Sequence, residues 1–389
     1  MAKQKQDDYG LSKANPTRPI AAPKLDYRPH DPKSYRPNIA LIGCGGITAS
    51  HLTAYKAAKY KVVALCDVIE EKARQRQQEF YPKAEVYTDY RELLKRDDIE
   101  VVDIATHPPE RVPIIEAALK ARKHVLSQKP FVLDLDVGKR LVRLAEKNGV
   151  HLAVNQNGRW SPHYSYIRHA IANGIIGDVT SANLTVHWDH TWIMGTVFEQ
   201  IHHLVFYDFG IHWFDIVSQF FGERKVKRVY ASVNRTIGQQ AKPPMLAQTI
   251  IDYDGGQASL IFDAQVQYGQ EDRTYVAGTR GTITSIGPSL SEQTVTVYTE
   301  KGFGNPQLKG SWFPDGFHGT MGELLTAIEE NREPNNSARN NLRSLELCFA
   351  AIASATDGEG KVPGKVRTLP KGAVPEHTQP TLNRKPITK

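Results

Sequence analysis

The order of apolar runs predicts an α/β plus α+β chain. A doubly wound parallel sheet comes first, and an open antiparallel sheet with helices on one face follows. Three observations predict this. Short apolar strands alternate with helical stretches up to Asn155. A glycine-rich turn follows the first strand. Beyond Arg159, strands succeed one another with hairpin signals such as Asp254-Gly255.

Asn38-Ile-Ala-Leu-Ile42-Gly43 reads as a strand buried on both faces, and Ala49 to Lys59 as the helix after it. Lys61 to Asp67 is a second buried strand, and Ile69 to Phe80 an amphipathic helix. Tyr87 to Leu94 reads as a turn and short helix. Strands at Val101–Ala105, His124–Ser127 and Val150–Asn155 alternate with helices at Val112–Ala121 and Asp136–Asn148. Past Arg159, Pro162–Asn173 and Phe206–Phe221 are helical and Val179–Trp188 alternates as a strand. Strands follow at 226–233, 247–253, 257–265, 273–277, 282–286 and 294–298, then helices at 317–331 and 338–356. The expected organisation is an N-terminal arm over 1–37, a Rossmann dinucleotide-binding domain over 38–157, a substrate and oligomerisation domain over 158–360 and a tail over 361–389.

The chain has 389 residues, 40% hydrophobic and 23% charged, enough to bury two cores. It contains no apolar run of 18 residues and no apolar leader at its N-terminus, so neither a membrane span nor a secretory signal is expected. Three dispersed cysteines form no disulfide framework, which suits a reducing, cytoplasmic setting. The net charge of +7 invites a nucleic-acid reading. Its distribution argues against one. Residues 1–37 carry +4 and residues 361–389 carry +6, leaving −3 for the rest. Those two segments hold 11 of the 23 prolines and read as extended arms suited to packing on neighbouring subunits. Removing residues 1–37 is expected to weaken oligomerisation.

Gly43-Cys44-Gly45-Gly46-Ile47 leaves a strand and opens a helix. The glycines permit a tight turn and a close approach of pyrophosphate to the helix N-terminus. Thr48 stands where a third small residue is usual. Asp67, 24 residues after Gly43, ends the second strand, where a carboxylate accepts ribose hydroxyls and repels a 2′-phosphate. No arginine follows it directly, so NAD is expected in preference to NADP. An ordinary turn beside a surface aspartate is the plain alternative.

Ser127-Gln128-Lys129-Pro130 lies at the carboxyl end of a sheet strand, where ligands of this fold bind. Lys129 there is either a donor to a substrate hydroxyl or a solvated lysine. Asp208 and His212 are four apart on an expected helix and would share a face, the imidazole acting as a general base oriented by the carboxylate. A polar face beside Ile211 and Phe214 explains the same spacing. His187, Asp189, His190, Trp188, Trp192, His202 and His203 precede that helix. They suit a sugar pocket, a metal site or a mere crowding of histidines; no zinc-ligand spacing is present, and no metal is expected.

Taken together these segments resemble the glucose–fructose oxidoreductase, inositol dehydrogenase and rhizopine-catabolism (Gfo/Idh/MocA) family. The likeness runs over about residues 38–370 through the GCGGI turn, Asp67, His124-Val-Leu-Ser-Gln-Lys-Pro130, Gly174-Ile-Ile-Gly177, Asp208-x-Gly210-x-His212-x-x-Asp215 and Gly278-Thr-Arg-Gly281-Thr282. The resemblance implies an NAD-dependent dehydrogenase or reductase of a sugar, cyclitol or glycoside, assembled as a homodimer or homotetramer, with Lys129, Asp208 and His212 as the catalytic trio. Cofactor contacts are expected from Gly43 through Ile47, and from Asp67, Thr106, His107, Gln128, Lys129 and Asn157. Substrate contacts are expected from Arg159, Trp160, His187, Asp189, His203, Asp208 and His212. Two departures stand out: Gln128 replaces the family's usual glutamate, and Thr106-His107-Pro108-Pro109 replaces its Thr-Pro-Asn turn. Alternative reactions are oxidation followed by elimination or glycoside cleavage with NAD regenerated in place. A non-catalytic nucleotide sensor, suggested by Gln128, is a third reading. No nucleic-acid or membrane partner is expected.

Overall fold

The computed structural model describes residues 17–370. Its first sheet has six parallel strands in the order β3-β2-β1-β4-β5-β6. These are β1 (Asn38–Ile42), β2 (Lys61–Cys66), β3 (Glu85–Tyr87), β4 (Ile99–Ile104), β5 (His124–Gln128) and β6 (Leu152–Asn155). The helices between them are α1 (Thr48–Ala57), α2 (Glu70–Phe80), the short α3 (Tyr90–Leu93), α4 (Pro108–Lys120) and α5 (Leu135–Asn148). Two small departures from the sequence expectation arise here. Residues 85–87 pair with β2 rather than forming a turn, and α4 starts four residues early. Pro108 and Pro109 sit in its first turn, where a missing N–H costs nothing.

The second sheet has eight strands in the order β14-β13-β12-β11-β7-β10-β9-β8. After α6 (Pro162–Ala172) come β7 (Val179–His187) and α7 (Ile211–Phe221). Then follow β8 (Val226–Asn234), β9 (Leu246–Tyr253), β10 (Gly256–Asp263), β11 (Glu271–Gly278), β12 (Gly281–Gly287), β13 (Thr294–Thr299) and β14 (Gly302–Gly304). The sheet is mixed rather than wholly antiparallel, because β10 runs parallel to β7. The long excursion between them, through α7, β8 and β9, returns the chain in the same direction. One face of this sheet is open. Tyr230, Ile250, Tyr275, Ile286 and Tyr298 lie on it and are each exposed; Tyr230 pairs with Ile250, while Ser259 and Asn183 stand between Ile250 and Tyr275.

The expected break at 157/158 does not separate the packing. α8 (Trp312–Glu329) folds back on the first sheet, and Phe317, Met321, Leu324 and Leu325 share a core with Ile39, Leu41 and Leu52. Each such fully buried side chain contributes about 1.5–3 kcal/mol. α9 (Ala338–Asp357) packs between α5, α7 and β8.

The described part of the N-terminal arm, residues 17–37, makes contacts along its own chain. Ile20 and Phe303 pair through their backbones, Tyr166 donates to the Pro23 carbonyl, and Glu329 accepts three amides from Lys33, Ser34 and Tyr35. The tail likewise pairs Leu369 with Leu133 beside α5. Both arms thus tie the two sheets together within one chain. Residues 1–16 and 371–389 lie outside the described residues.

Candidate active site

The glycine turn is built as the sequence requires. Gly43 has φ +91°, and an ideal Cβ there would lie 2.9 Å from the Ala105 carbonyl carbon, so only glycine lets β1 and β4 close up. An ideal Cβ on Gly45 or Gly46 meets no protein atom within 4 Å. The turn therefore faces open space at the N-terminus of α1, the room that the pyrophosphate of NAD needs. Asp67 accepts from Cys44 N at 2.8 Å and from Ile69 N at 2.9 Å, fixing its carboxylate beside the turn. These residues fit NAD. The Cys44 thiol is pushed up to about 12 by burial, with Asp67 and Cys66 adding to it, so it is a packing group. Sequence spacing hid Arg76. From α2 it reaches Thr48 Oγ1 and the Gly45 carbonyl, both at 3.2 Å, and Glu79 holds its charge at 2.7 Å.

Two buried networks secure the strand ends beside Lys129. In the first, the Arg111 guanidinium donates to the carbonyls of Thr106, Gln128 and Pro130. It staples the loop after β4 to the loop after β5. Burial lowers its pKa to about 10, and it remains charged. In the second, Gln128 Oε1 accepts from Lys129 N at 2.7 Å and Gln128 Nε2 faces His51 Nε2 at 3.2 Å. Asn155 Nδ2 faces the same nitrogen at 3.3 Å. His51 Nδ1 lies 2.7 Å from Asp103 Oδ2, which also accepts from Tyr55 at 2.7 Å. With both amides donating, His51 Nε2 is the acceptor and Nδ1–H donates to Asp103. A donating amide at position 128 suits an accepting Nε2; a carboxylate there would face its lone pair. Neither Arg111 nor His51 stood out in the sequence, since each is one of many such residues on a helix.

The opposite wall departs from expectation. Residues 205–209 form a π-turn before α7, closed by the Gly210 N–H to Val205 O bond. A Cβ on Gly210 would lie 2.7 Å from the Val205 oxygen, which explains the glycine. The extra residue in the turn rotates Asp208 away from His212. No hydrogen bond joins them. Asp208 instead receives Lys129 Nζ, at 3.1 Å to Oδ1 and 2.8 Å to its backbone oxygen. The expected carboxylate–imidazole pair is therefore a carboxylate–ammonium pair. His212 lines the same cavity, edge-on to Trp312 with centroids 5.4 Å apart. Its pKa is held well below 6.5 by burial and by the Lys129 charge, so its neutral form is favoured.

The cavity between these walls has a volume of about 690 Å³. Ile47, Thr106, His107, Gln128, Lys129, Asn157, Asp208 and His212 line it, all anticipated from the sequence. Thr106 Oγ1, His190 Nδ1, Tyr207 Oη and His212 Nδ1 are buried without a partner among the described residues. Such atoms at a cavity await a ligand or water. Five residues expected at the substrate lie elsewhere. Arg159 is fully buried in a bidentate pair with Asp215, at 2.6 Å through both nitrogens, fastening the segment after β6 to α7. Trp160 packs under Arg168 in a separate cavity. His187 ends β7 against Glu271, Asp189 caps the Thr191 amide, and His203 meets His202 edge to face. None of these five lines the cavity. The segment supplies Trp188, His190, Trp192 and Phe198 instead. The strand pattern breaks at Trp188, so alternation no longer tells which side chains face inward. Among the described residues, no group of three or more His, Cys, Asp or Glu side chains could hold a metal.

Comparison with known proteins agrees with this geometry. Residues 37–156 match a profile described as an oxidoreductase family with an NAD-binding Rossmann fold, and residues 164–284 match the GFO/IDH/MocA C-terminal domain. D-apiose dehydrogenase of Paraburkholderia graminis is 27% identical over 349 residues, 82% of this chain and 88% of that protein. Myo-inositol 2-dehydrogenase of Thermotoga maritima is 26% identical over 276 residues, 68% of this chain and 79% of that protein. In fold, the chain is similar to an oxidoreductase from Agrobacterium radiobacter, with a TM-score of 0.76, 22% identity, and coverage of 85% and 99%. With a glycine turn built for a dinucleotide and matches to both halves of one family, the chain belongs to the Gfo/Idh/MocA family of NAD-binding oxidoreductases.

Proposed function

We propose that this enzyme oxidises or reduces a carbinol carbon of a sugar, cyclitol or glycoside, with Lys129, Asp208 and His212 at the reacting centre. Residues 38–157 hold the cofactor and residues 158–360 most of the substrate. The observation that carries the reading is the Lys129–Asp208 pair lining one cavity with His212, whose neutral form is favoured. NAD held there would supply a hydride acceptor for oxidation and a hydride donor for reduction. Gly43 to Ile47 and Asp67 would hold its phosphate and ribose portions, and Thr106, His107, Gln128 and Asn157 would contact it. In the oxidation direction the His212 lone pair takes the hydroxyl proton. Lys129, steered by Asp208, donates to the same oxygen and stabilises the charge developing on it. The names of the apiose and inositol dehydrogenases support the substrate class. We also infer a homo-oligomer built on the open sheet face, since Tyr230, Ile250, Tyr275, Ile286 and Tyr298 are exposed apolar side chains on that face. Its buried, unpaired cysteines suit a cytoplasmic location, and no described helix is long and apolar enough to cross a membrane.

The test is turnover of a sugar and cyclitol panel with NAD, followed at 340 nm beside chromatographic quantitation of product. One NADH per oxidised product supports the reading. Product without net NADH contradicts it in favour of cofactor recycling. No product from any member of the panel, with NADH binding intact, favours a nucleotide sensor.

A further inference from the structure

The cavity carries more apolar wall than a monosaccharide uses. A succession of rings leads outward from Trp213, the neighbour of His212. Trp188 lies 5.7 Å from Trp213, and His190 lies 3.9 Å from Trp188. Trp192 is 5.9 Å from His190, and Phe198 is 5.6 Å from Trp192. Trp188, His190 and Trp192 gather round Phe209, with centroids 6.2, 4.0 and 6.4 Å from it. The inner part of this cluster carries the orphaned His190 Nδ1. The outer part is largely apolar: Trp192 is 55% exposed and Val197 65% exposed, and both line the cavity. Leu290 and Phe313 line it as well. The volume of about 690 Å³ is shared with the cofactor, whose expected contacts Ile47, Thr106, His107 and Gln128 also line it. Exposed rings at a cavity mouth keep apolar surface in water, an unfavourable contact that a ligand covering them removes.

A sugar can lay its C–H face on one such ring, but its hydroxyls gain nothing from Val197, Phe198 and Leu290. An aryl group presents a flat apolar face of the right kind. We propose that the outer shelf, Trp192 with Val197 and Phe198, binds an aryl-type aglycone, so that the substrate is a glycoside and not the free sugar. This rests on the reading of the inner cavity as a carbinol oxidation site. The sugar occupies the inner end, against Lys129, Asp208, His212 and His190. The aglycone extends over Trp192 towards solvent.

The experiment uses the full-length protein loaded with NADH. Calorimetry compares each of D-glucose, D-galactose and D-xylose with its phenyl α- and β-glycosides, and kcat/KM is measured with NAD for the same pairs. At least one phenyl glycoside is expected to bind about tenfold more tightly than its parent sugar. Trp192→Ala is expected to remove most of that advantage while weakening the parent sugar less than threefold. Equal affinity within every pair, or no binding by any member, overturns the proposal. So does an equal loss for sugar and glycoside in Trp192→Ala, which would mean that the ring stacks on the sugar itself or is covered by a second copy of the chain. Tight glycoside binding without turnover of any compound would sustain the shelf and sink the dehydrogenase reading. Turnover of free sugars without aryl preference would do the reverse.

Discussion

The two walls of the cavity are built differently. The cofactor wall hangs on the ends of β1, β4 and β5, and buried polar groups lock it: Arg111 on three carbonyls, and His51 between Asp103 and Gln128. The substrate wall, residues 188–213, has short 3₁₀ turns, a π-turn and rings open to solvent. The contrast separates two tasks. A dinucleotide common to many enzymes is held by regular elements whose geometry repeats. A substrate peculiar to one enzyme meets an irregular segment that is free to vary.

Substitutions in the two walls should break in different ways. The largest stability effect is expected at the hinge between them. Arg159→Ala leaves the buried Asp215 charge with Ser344 Oγ as its remaining partner and should cost about 3–5 kcal/mol. Denaturant melting checks this, and a loss below 1 kcal/mol would mean that the pair does not fasten the walls. Gly43→Ala attacks the cofactor wall alone. The clash with Ala105 and the positive φ should cost about 1–3 kcal/mol and weaken NADH binding, read by fluorescence titration. Unchanged NADH affinity would refute the assigned turn. Gln128→Glu puts a carboxylate on the His51 lone pair and should cost about 1–3 kcal/mol at pH 8. Denaturant melting checks this, and unchanged stability would contradict the amide–imidazole arrangement.

A smaller effect spans both walls. Burial is the largest cause lowering His124, His190 and His203 to about 4 and His163 to about 3. In the unfolded chain these groups protonate near the ordinary value of about 6.5. The fold therefore keeps its full stability above that pH and loses it as pH falls from 6.5 towards 4. Tm should be several degrees lower at pH 5 than at pH 7.5, by about 1 kcal/mol or more. An unchanged Tm would place those imidazoles in water.

The cofactor wall was the more legible in the sequence, for a physical reason. Strand runs, glycines and Asp67 signal through local spacing, and local spacing fixes a strand–turn–helix. Lys129 and His212 were recognisable from their motifs. The partner of Asp208 was not, because an α-helical count assumes 3.6 residues per turn and the π-turn adds one. Arg159 was assigned to substrate because it lies at the crossover, but its partner Asp215 is 56 residues away in the chain. The return of α8 to the first sheet and the wrapping of residues 17–37 on their own chain are long-range packing choices that no local pattern encodes.

The central claim is that Lys129 acts on the substrate oxygen while the cofactor wall works independently of it. Lys129→Ala tests this most directly, with kcat on a verified substrate and NADH affinity measured on the same preparation. The account predicts a loss in kcat of about 10²–10⁴-fold with NADH affinity within threefold of wild type. Near-normal turnover in that variant would contradict it.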